Sequence, residues 1–477
     1  MIIQKNKTLT IFLCYIALFS LISIACFNAT PKPPTATVQQ QLPASQESLS
    51  GPNTAPTIPT KPDVIKPDPE PDPEPEPEAD PVPLTVLNAV PVELGKTGFG
   101  QNKQEAGYGF KLTNNNVDVA IRSIPFQIAV YDTNNKVVDT EGGYTDYIYG
   151  GETLGVGGTI YLDDGVKVGK IEVQVSEGEP IVAEFTEPFT VDNVIYVPSE
   201  YSSSVRGVIT NPYDQDLTTL KVSAILYDEA DNIIGGGNTY LSFLLANSSS
   251  GVIVPVSGST NVSRVELYPS ITNIYEFENP NQIPEGVSNL SIIKQGFGQN
   301  NTSLGIGMTI ENPNQGYAIE SSMYQSTSYS NDGSVLGVST GYISLLLPTQ
   351  ILGISDAQYL DEGAIVSRVD VRIKTGYFTE SNIIPIFTSE NITFIPDEYS
   401  PQVTGEIVSP YSKEVSNVRV DAIAYNDAGE IIGSGYTYLN FIPANSKAAV
   451  SVYMTVAETP ATVELYAAPS ALSDIVE

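Results

Sequence analysis

The chain contains a long internal duplication, and this repeat constrains the fold more than any other feature of the sequence. The sequence GFGQN at residues 98–102 recurs at residues 296–300, which is 198 positions further along. The sequence VELY at residues 265–268 recurs at residues 463–466 with the same offset. Because the offset stays constant, the chain carries two copies of one unit with no net insertion between these landmarks.

A shorter repeat lies inside the long one. Tyr131 and Tyr227 are 96 positions apart, and so are Tyr329 and Tyr425. Each module then spans about 90 to 100 residues, the usual size of a small β-sandwich domain. The sequence therefore predicts four related modules, which we name A1, B1, A2 and B2. We assign them to residues 85–187, 188–278, 279–385 and 386–471, followed by a tail at 472–477.

The apolar residues of the modules alternate as they do in strands. Ile124, Phe126 and Ile128 are each separated by one other residue, and a period of two is typical of a half-buried strand. Short segments rich in Asp, Asn and Gly follow such strands, and these residue types suit tight hairpins. No stretch of similar length shows a helical stripe. We therefore expect an all-β fold of four tandem β-sandwich modules.

The N-terminus has the composition of an export signal. Lys5 lies in a positively charged N-terminal region. The apolar stretch that follows, at 11–24, is too short for a membrane-spanning helix. The sequence ISIAC at 22–26 resembles the lipobox of bacterial lipoproteins, although serine stands where leucine is commoner. The resemblance implies a signal peptide at residues 1–25 and lipidation of Cys26. A plain signal peptide and an uncleaved anchor are the alternatives.

Lipidation would place the protein at a bacterial membrane, facing outside the cytoplasm, since several acyl chains together hold a protein firmly. Residues 26–84 form the next segment, and within it residues 67–78 alternate proline with Asp or Glu. Proline favours the extended polyproline II conformation, and neighbouring carboxylates repel each other. We therefore expect a disordered but stiff acidic stalk. Recognition of its prolines by a partner is the alternative.

Composition argues against several classes of function. The formal charge is -33 at pH 7, which disfavours binding to nucleic acid. Cys14 and Cys26 are the two cysteines, and the chain has no histidine. The folded part therefore lacks disulfides, thiolate metal ligands and the commonest general base. We expect no cofactor, no metal site and no enzymatic activity.

Two acidic patterns are candidates for chemical sites. Asp228, Asp231 and Asn232 group several oxygens, as calcium requires, but the fourth module replaces the first two by Asn426 and Gly429. Pairs of acids at 163–164 and 361–362 each precede a glycine. Both patterns are more typical of turns. A carbohydrate-active enzyme that uses an Asp/Glu pair stays as an alternative.

One segment of module B1 resembles a known family. The sequence AILYD at 224–228, followed by a hairpin and IIG at 233–235, is similar to the FxLYD domains of bacterial surface proteins. The corresponding segment of B2, at 422–426, departs at two places, and that of A1, at 128–132, keeps only the Tyr-Asp end. The resemblance implies immunoglobulin-like sandwiches with an extracellular location. The family has no known catalytic residues.

The GFG sequence at 98–100 is among the strictest identities between the halves. It opens no helix that could hold phosphate. Glycine at such places indicates a β-bulge or a close approach of another backbone. We therefore interpret Gly98 and Gly100 as structural residues.

Tyrosine, with 27 copies, is the residue type most relevant to binding. Tyr227 alternates out of phase with Ala224 and Leu226, so it is predicted on the outer face of its sheet. There it serves either as a platform for glycan or protein or, as we favour, packs under a neighbouring element. The candidate binding surface comprises Tyr144, Tyr147, Tyr149, Tyr240, Tyr342 and Tyr438.

We therefore predict that the chain is a non-catalytic, membrane-anchored surface lipoprotein that displays its modules for binding or adhesion. Extracellular protein or glycan is the expected partner, and module A1 is the preferred place for it. A purely structural spacer is the main alternative.

Overall fold

The computed structural model describes residues 87, 89–182, 187–272 and 283–476. The chain divides into two compact units, Met1–Val82 and Pro83–Glu477, and every described residue belongs to the second. The predicted signal peptide, the lipidation site Cys26 and the acidic stalk therefore lie outside the described residues. Within the described ranges, no helix is long and apolar enough to cross a membrane.

The described residues form 29 strands and one short 3-10 helix, Leu472–Asp474. Module A1 contains β1 (Glu93–Asn102), β2 (Glu105–Thr113), β3 (Val119–Arg122), β4 (Ile124–Asp132), β5 (Val137–Thr145), β6 (Thr153–Tyr161), β7 (Val168–Val175) and β8 (Glu179–Val182). Module B1 contains β9 (Thr190–Val197), β10 (Ser204–Thr210), β11 (Leu217–Tyr227), β12 (Ile233–Leu244), β13 (Ser249–Pro255), β14 (Ser257–Gly258) and β15 (Arg264–Ile271).

The second half repeats these elements. Module A2 contains β16 (Ser291–Asn300), β17 (Ser303–Glu311), β18 (Tyr317–Tyr329), β19 (Val335–Leu346), β20 (Ile351–Tyr359), β21 (Arg368–Lys374) and β22 (Tyr377–Glu380). Module B2 contains β23 (Thr388–Ile395), β24 (Gln402–Val408), β25 (Val415–Tyr425), β26 (Ile431–Ile442), β27 (Lys447–Tyr453), β28 (Thr455–Val456) and β29 (Thr462–Ala468).

Each module is a sandwich of two main antiparallel sheets. In A1 these are β1-β2-β6 and β5-β4-β7, and in A2 they are β16-β17-β20 and β19-β18-β21. In B1 they are β13-β10-β9 and β14-β12-β11-β15, and in B2 they are β23-β24-β27 and β28-β26-β25-β29. The predicted all-β fold of four tandem immunoglobulin-like β-sandwich modules is confirmed.

The core of A1 lies between its two sheets and follows the predicted alternation. Phe110 and Leu112 of β2 are fully buried against Ile124 and Ile128 of β4. In A2 the interior is partly polar. The hydroxyl of Ser328 on β18 donates a 2.7 Å hydrogen bond to the side-chain oxygen of Gln358.

The hairpin that follows the core strand has one conformation in all four modules. Its fourth residue, whose N–H bonds to the carbonyl oxygen of the first, has a positive φ, which is 61° at Asn135, 62° at Asp231, 85° at Gly333 and 72° at Gly429. Asn, Asp and Gly adopt this left-handed region most easily. In B1 the carboxylate of Asp228 accepts two backbone N–H groups of its own turn. The acidic turn is thus explained by backbone geometry.

Candidate functional site

Modules A1 and B1 pack sheet against sheet, and glycines form the contact. The outer face of β1-β2-β6 lies against β11, β12 and β14. A Cβ atom on Gly98 would lie 2.2 Å from the carbonyl oxygen of Ile233, and one on Gly107 would lie 1.7 Å from that of Ser257. Only glycine lets the two backbones approach this closely. We call this contact the A1–B1 seam.

The same contact recurs in the second half as the A2–B2 seam, between β16-β17-β20 and strands β25, β26 and β28. A Cβ atom on Gly296 would lie 2.3 Å from the carbonyl oxygen of Ile431, and one on Gly298 would lie 2.1 Å from that of Ile432. The close backbone approach predicted for the GFG sequence is confirmed. The approaching backbone belongs to the next module.

The glutamine of the GFGQN sequence joins the two sheets of its own module. In A1 the amide nitrogen of Gln101 donates to the carbonyl oxygen of Val166 at 2.7 Å, and its amide oxygen accepts the N–H of Val168 at 2.9 Å. Gln299 makes the corresponding two bonds in A2. The two glycines and the glutamine of the repeated sequence are therefore structural residues.

The repeated outer-face tyrosine of the B modules packs in the seam. Tyr227 is 1% exposed and joins Ile233 in a small apolar cluster outside the B1 core. Its hydroxyl donates to Glu266 at 2.7 Å, and the guanidinium of Arg264 lies 3.8 Å from the ring centroid. Tyr425 occupies the same position in the A2–B2 seam. In the B modules, packing under a neighbour is the role of this tyrosine, as we favoured.

Charged groups also cross the A1–B1 seam. The ammonium group of Lys111 lies 3.0 Å from the carboxylate of Glu266. Burial alone would raise the pKa of Glu266, but hydrogen bonds from Tyr227 and Tyr268 and the charge of Lys111 lower it to about 2. Glu266 is therefore ionised over the whole physiological range, and it ties the seam cluster to the first module.

The A2–B2 seam contains a buried ion pair instead. Asp421 is 0% exposed, and its carboxylate lies 2.9 Å from the guanidinium of Arg419. The backbone N–H of Ser355 donates to the same carboxylate at 2.8 Å, and the Ser355 carbonyl accepts from Arg419 at 2.5 Å. Burial raises the pKa of Asp421, while Arg419 and the Ser355 N–H oppose that rise. The pair links the two modules through backbone and side chain.

Four of the six tyrosines of the candidate binding surface are exposed. Tyr144 is 65% exposed, Tyr240 56%, Tyr342 62% and Tyr438 59%. They lie on β5, β12, β19 and β26 at equivalent positions, with one in each module. The structure therefore places them on four separate modules and does not gather them into one site.

The other two tyrosines correct the prediction. Tyr147 and Tyr149 are 7% and 6% exposed, because the segment between β5 and β6 inserts their rings into the core of B1. The hydroxyl of Tyr213 in B1 donates to that of Tyr149 at 2.8 Å. These rings join modules and are closed to a ligand. Beside them, burial raises the pKa of Glu152 to about 7, against the opposing hydrogen bond from the Tyr149 N–H.

Around Tyr144, the outer face of β5-β4-β7 is open. A groove of about 580 Å³ crosses it and is lined by Gln127, Gly142 and Gln174 as well as Tyr144. Gly142 has no side chain to fill the groove. Of the predicted binding residues, Tyr144 is the one that lines a groove on an open face of A1.

The equivalent face of A2 is covered by module B1. Gln325, the counterpart of Gln127, is 2% exposed. The guanidinium of Arg206 in B1 reaches the carboxylate of Asp361 at 2.6 Å and the carbonyl oxygen of Leu336 at 3.1 Å. The N–H of Gly251 donates to the hydroxyl of Thr327 at 3.3 Å. We call this contact the B1–A2 junction.

Sequence reasoning missed Arg206 and Asp421, which anchor two of the module contacts. Neither belongs to a repeated motif: the other copy has Thr404 and Ser223 at these positions. The available signal was the difference between the copies, since a charged residue that replaces a neutral one in a repeat must find a partner or stay in water.

No family model matches the chain, and no curated protein matches it. Among solved structures, the chain is similar to Escherichia coli alpha-2-macroglobulin activated by porcine elastase, at 10% identity and with a TM-score of 0.12. The match covers 79% of this chain and 42% of that one. At that score the similarity supports no conclusion about function.

Proposed function

We propose that the protein is a non-catalytic, lipid-anchored surface protein that displays paired β-sandwich modules and binds an extracellular protein through the open face of A1. The observation that carries this proposal is the difference between the two A modules. The outer sheet of A1 offers a groove beside Tyr144, whereas another module covers the same sheet of A2.

A protein partner fits this face better than a small ligand does. The groove is shallow and lies along a β-sheet, and the equivalent face in A2 is covered by the sheet of another module. Glycan binding, which also suits an exposed tyrosine beside amides, is then an outcome of the test. The lipobox-like sequence before Cys26 supports export and anchoring.

The test compares binding of the unaltered protein and of two variants to panels of purified extracellular proteins and glycans. Gly142→Thr places in the groove the residue that A2 has at position 340, and Tyr144→Ala removes the exposed ring. Tyr342→Ala in A2 is the matched control. We expect both A1 variants to lose binding that the control retains. Equal binding by all three variants would contradict the proposal.

A structural spacer is the second candidate, and the burial of Tyr227 and Tyr425 in the seams favours it. A spacer that binds nothing would show no binding in either panel. Anchoring is tested separately with Cys26→Ser, which we expect to release the protein from the membrane fraction. Unchanged partitioning would contradict the anchor.

A further inference from the structure

Two outer sheet faces are left open by the order of the modules. In the B1–A2 junction, the outer face of β13-β10-β9 meets the outer face of β19-β18-β21. The duplication provides a second example of each face. These are β23-β24-β27 on B2 and β5-β4-β7 on A1, with strand pairing in the same register.

Within the part of the chain that the structure describes, burial shows no sheet covering these two faces. Arg206 and Gly251 are buried in B1, whereas the equivalent Thr404 is half-buried and Ala449 is exposed in B2. Likewise Thr327 is buried in A2, and its counterpart Ala129 in A1 is only half-buried. Among the described residues, these faces are therefore covered between B1 and A2 and uncovered on A1 and B2.

Both open faces carry a groove. The groove on A1 has a volume of about 580 Å³. One of about 450 Å³ lies on B2 and is lined by Thr404, Glu406, Ala449 and Ser451. These grooves lie on the two faces whose counterparts meet in the B1–A2 junction.

The two residues at the centre of the junction have counterparts on the open faces that are also complementary in size. In the junction, Gly251 faces Thr327, whose methyl group leaves no room for a Cβ atom on the glycine, since the distance would be 2.3 Å. At the open faces the corresponding residues are Ala449 and Ala129. A larger residue on the B side is thus matched by a smaller one on the A side, as a complementary pair requires.

The polar contacts are partly retained. Asn193 donates to the carbonyl oxygen of Gly333 at 3.3 Å in the junction, and the open faces keep Asn391 and a turn residue of the same conformation, Asn135. The acceptor Asp361 has its counterpart in Asp163. In B2, Thr404 stands at the position of Arg206, so the guanidinium group that anchors the junction has no counterpart there. The contact at the open faces is therefore weaker than the internal junction.

Two lysines on the open faces form ion pairs within their own modules. On A1, Lys170 lies 2.7 Å from Glu172. On B2, Lys447 lies 2.8 Å from both Glu390 and Glu406. The pair on A1 is therefore balanced, whereas on B2 two carboxylates share one ammonium group and leave that face with net negative charge.

We propose that the open face of B2 docks on the open face of A1 of a second copy, so that copies associate head to tail in the geometry of the B1–A2 junction. Because the two faces differ, the contact is heterologous and repeats from copy to copy. This inference rests on the proposed function in one respect, that the A1 face is a binding surface. It identifies the partner of that face as a second copy of the chain.

Cysteine cross-linking of the full chain tests the proposal. The test variant carries Ala129→Cys and Ala449→Cys in one chain. The internal control carries Gly251→Cys and Thr327→Cys. A Cβ atom at position 251 would be in contact with residue 327, which is within disulfide reach. The native cysteines, Cys14 and Cys26, are replaced by serine in every variant and in the reference chain, so that the introduced pairs are the sole source of disulfides. Under mild oxidation we expect the first variant to give a ladder of linked multimers and the control to give an internal link.

Single variants define the polarity of the contact. Chains with Ala129→Cys alone or Ala449→Cys alone should stay monomeric, and a mixture of the two should give dimers and no larger species. Dimers from either single variant beyond the level of the unaltered chain would contradict a head-to-tail contact. Absence of the ladder while the internal control links would overturn the proposal, and failure of the internal control would remove the junction on which it depends.

A gain-of-function variant adds a second readout. Thr404→Arg restores the lost guanidinium opposite Asp163, and we expect about tenfold tighter association by analytical ultracentrifugation. Adding Asp163→Ala should cancel the gain, and an unchanged association constant in Thr404→Arg would contradict the docking geometry. If no ladder of linked multimers forms while Tyr144→Ala still abolishes binding to an external protein, the proposed function is supported and the proposed self-association is contradicted.

Discussion

The two seams have the same architecture but are built with different chemistry. In the A1–B1 seam, backbone meets backbone: a Cβ atom on Gly107 would lie 1.7 Å from a carbonyl oxygen, and one on Gly236 would lie 2.3 Å from that of Tyr108. In the A2–B2 seam, a Cβ atom on the equivalent Gly305 would lie 2.7 Å from the nearest oxygen. The second seam is wider at this point, and it holds side chains.

The extra space is occupied by polar groups that are absent from the first seam. The hydroxyl of Ser434, which replaces Gly236, donates to the carbonyl oxygen of Ile306 at 2.7 Å. Asp421 replaces Ser223 and is bound by Arg419. Because a serine side chain would clash at Gly236, module B2 does not fit the seam of A1. The residues that differ between the two seams therefore allow each A module to pair with its own B module.

The largest expected effect is at the closest contact. Gly107→Val should lower the free energy of unfolding by about 4 kcal/mol, because the side chain would overlap the Ser257 carbonyl. Gly305→Val, at the wider seam, should lower it by about 2 kcal/mol. Denaturant unfolding of both variants measures the difference. Equal losses would show that the two seams are equally close.

The buried ion pair gives the next effect. Asp421→Ala should destabilise the protein by about 3 kcal/mol, since it leaves Arg419 buried without its carboxylate. Ser223→Ala at the matched position of the first seam should change stability by less than about 1 kcal/mol. The midpoint of thermal unfolding checks both. A small loss for Asp421→Ala would mean that water reaches Arg419.

A third comparison concerns pH. Glu152 accepts the N–H of Tyr149, and its counterpart Gln350 accepts the N–H of Leu347 in the same way. Burial raises the pKa of Glu152 from its ordinary value of 4.5 to about 7, so between these values the folded state binds the proton more tightly than the unfolded state. This group therefore lowers stability as pH rises from about 4.5 to about 7.

Glu152→Gln should remove that dependence. We expect the variant to match the unaltered protein near pH 4.5 and to exceed its unfolding free energy by about 3 kcal/mol at pH 8. Denaturation at both pH values measures the effect. A constant difference across the two pH values would show that Glu152 is not the titrating group.

The smallest effect is expected at the exposed tyrosines. Tyr240→Ala beside the first seam and Tyr438→Ala beside the second should each change stability by less than about 0.5 kcal/mol, since both rings are more than half exposed. Differential scanning calorimetry distinguishes this from a structural role. A loss of several degrees in either variant would place that ring in its seam.

Strands, turns and the close approach at Gly98 could be predicted because each depends on local pattern or on backbone conformation. The partner at that approach could not, since it depends on how folded surfaces meet. Arg206 bonds to residues 130 and 155 positions away, and no local signal marks such contacts. The glycine-rich segment around Tyr147 and Tyr149 predicts an exposed surface, yet the next module supplies the core that buries them.

The central claim is that each A module and its B module form one rigid pair through the seam. Spin labels at Tyr161→Cys in A1 and Asp192→Cys in B1, in a chain that also carries Cys14→Ser and Cys26→Ser, report the distance between the two modules by double electron–electron resonance. We predict one narrow distance distribution that becomes broad in Gly107→Val. A broad distribution in the protein with an intact seam would contradict the claim.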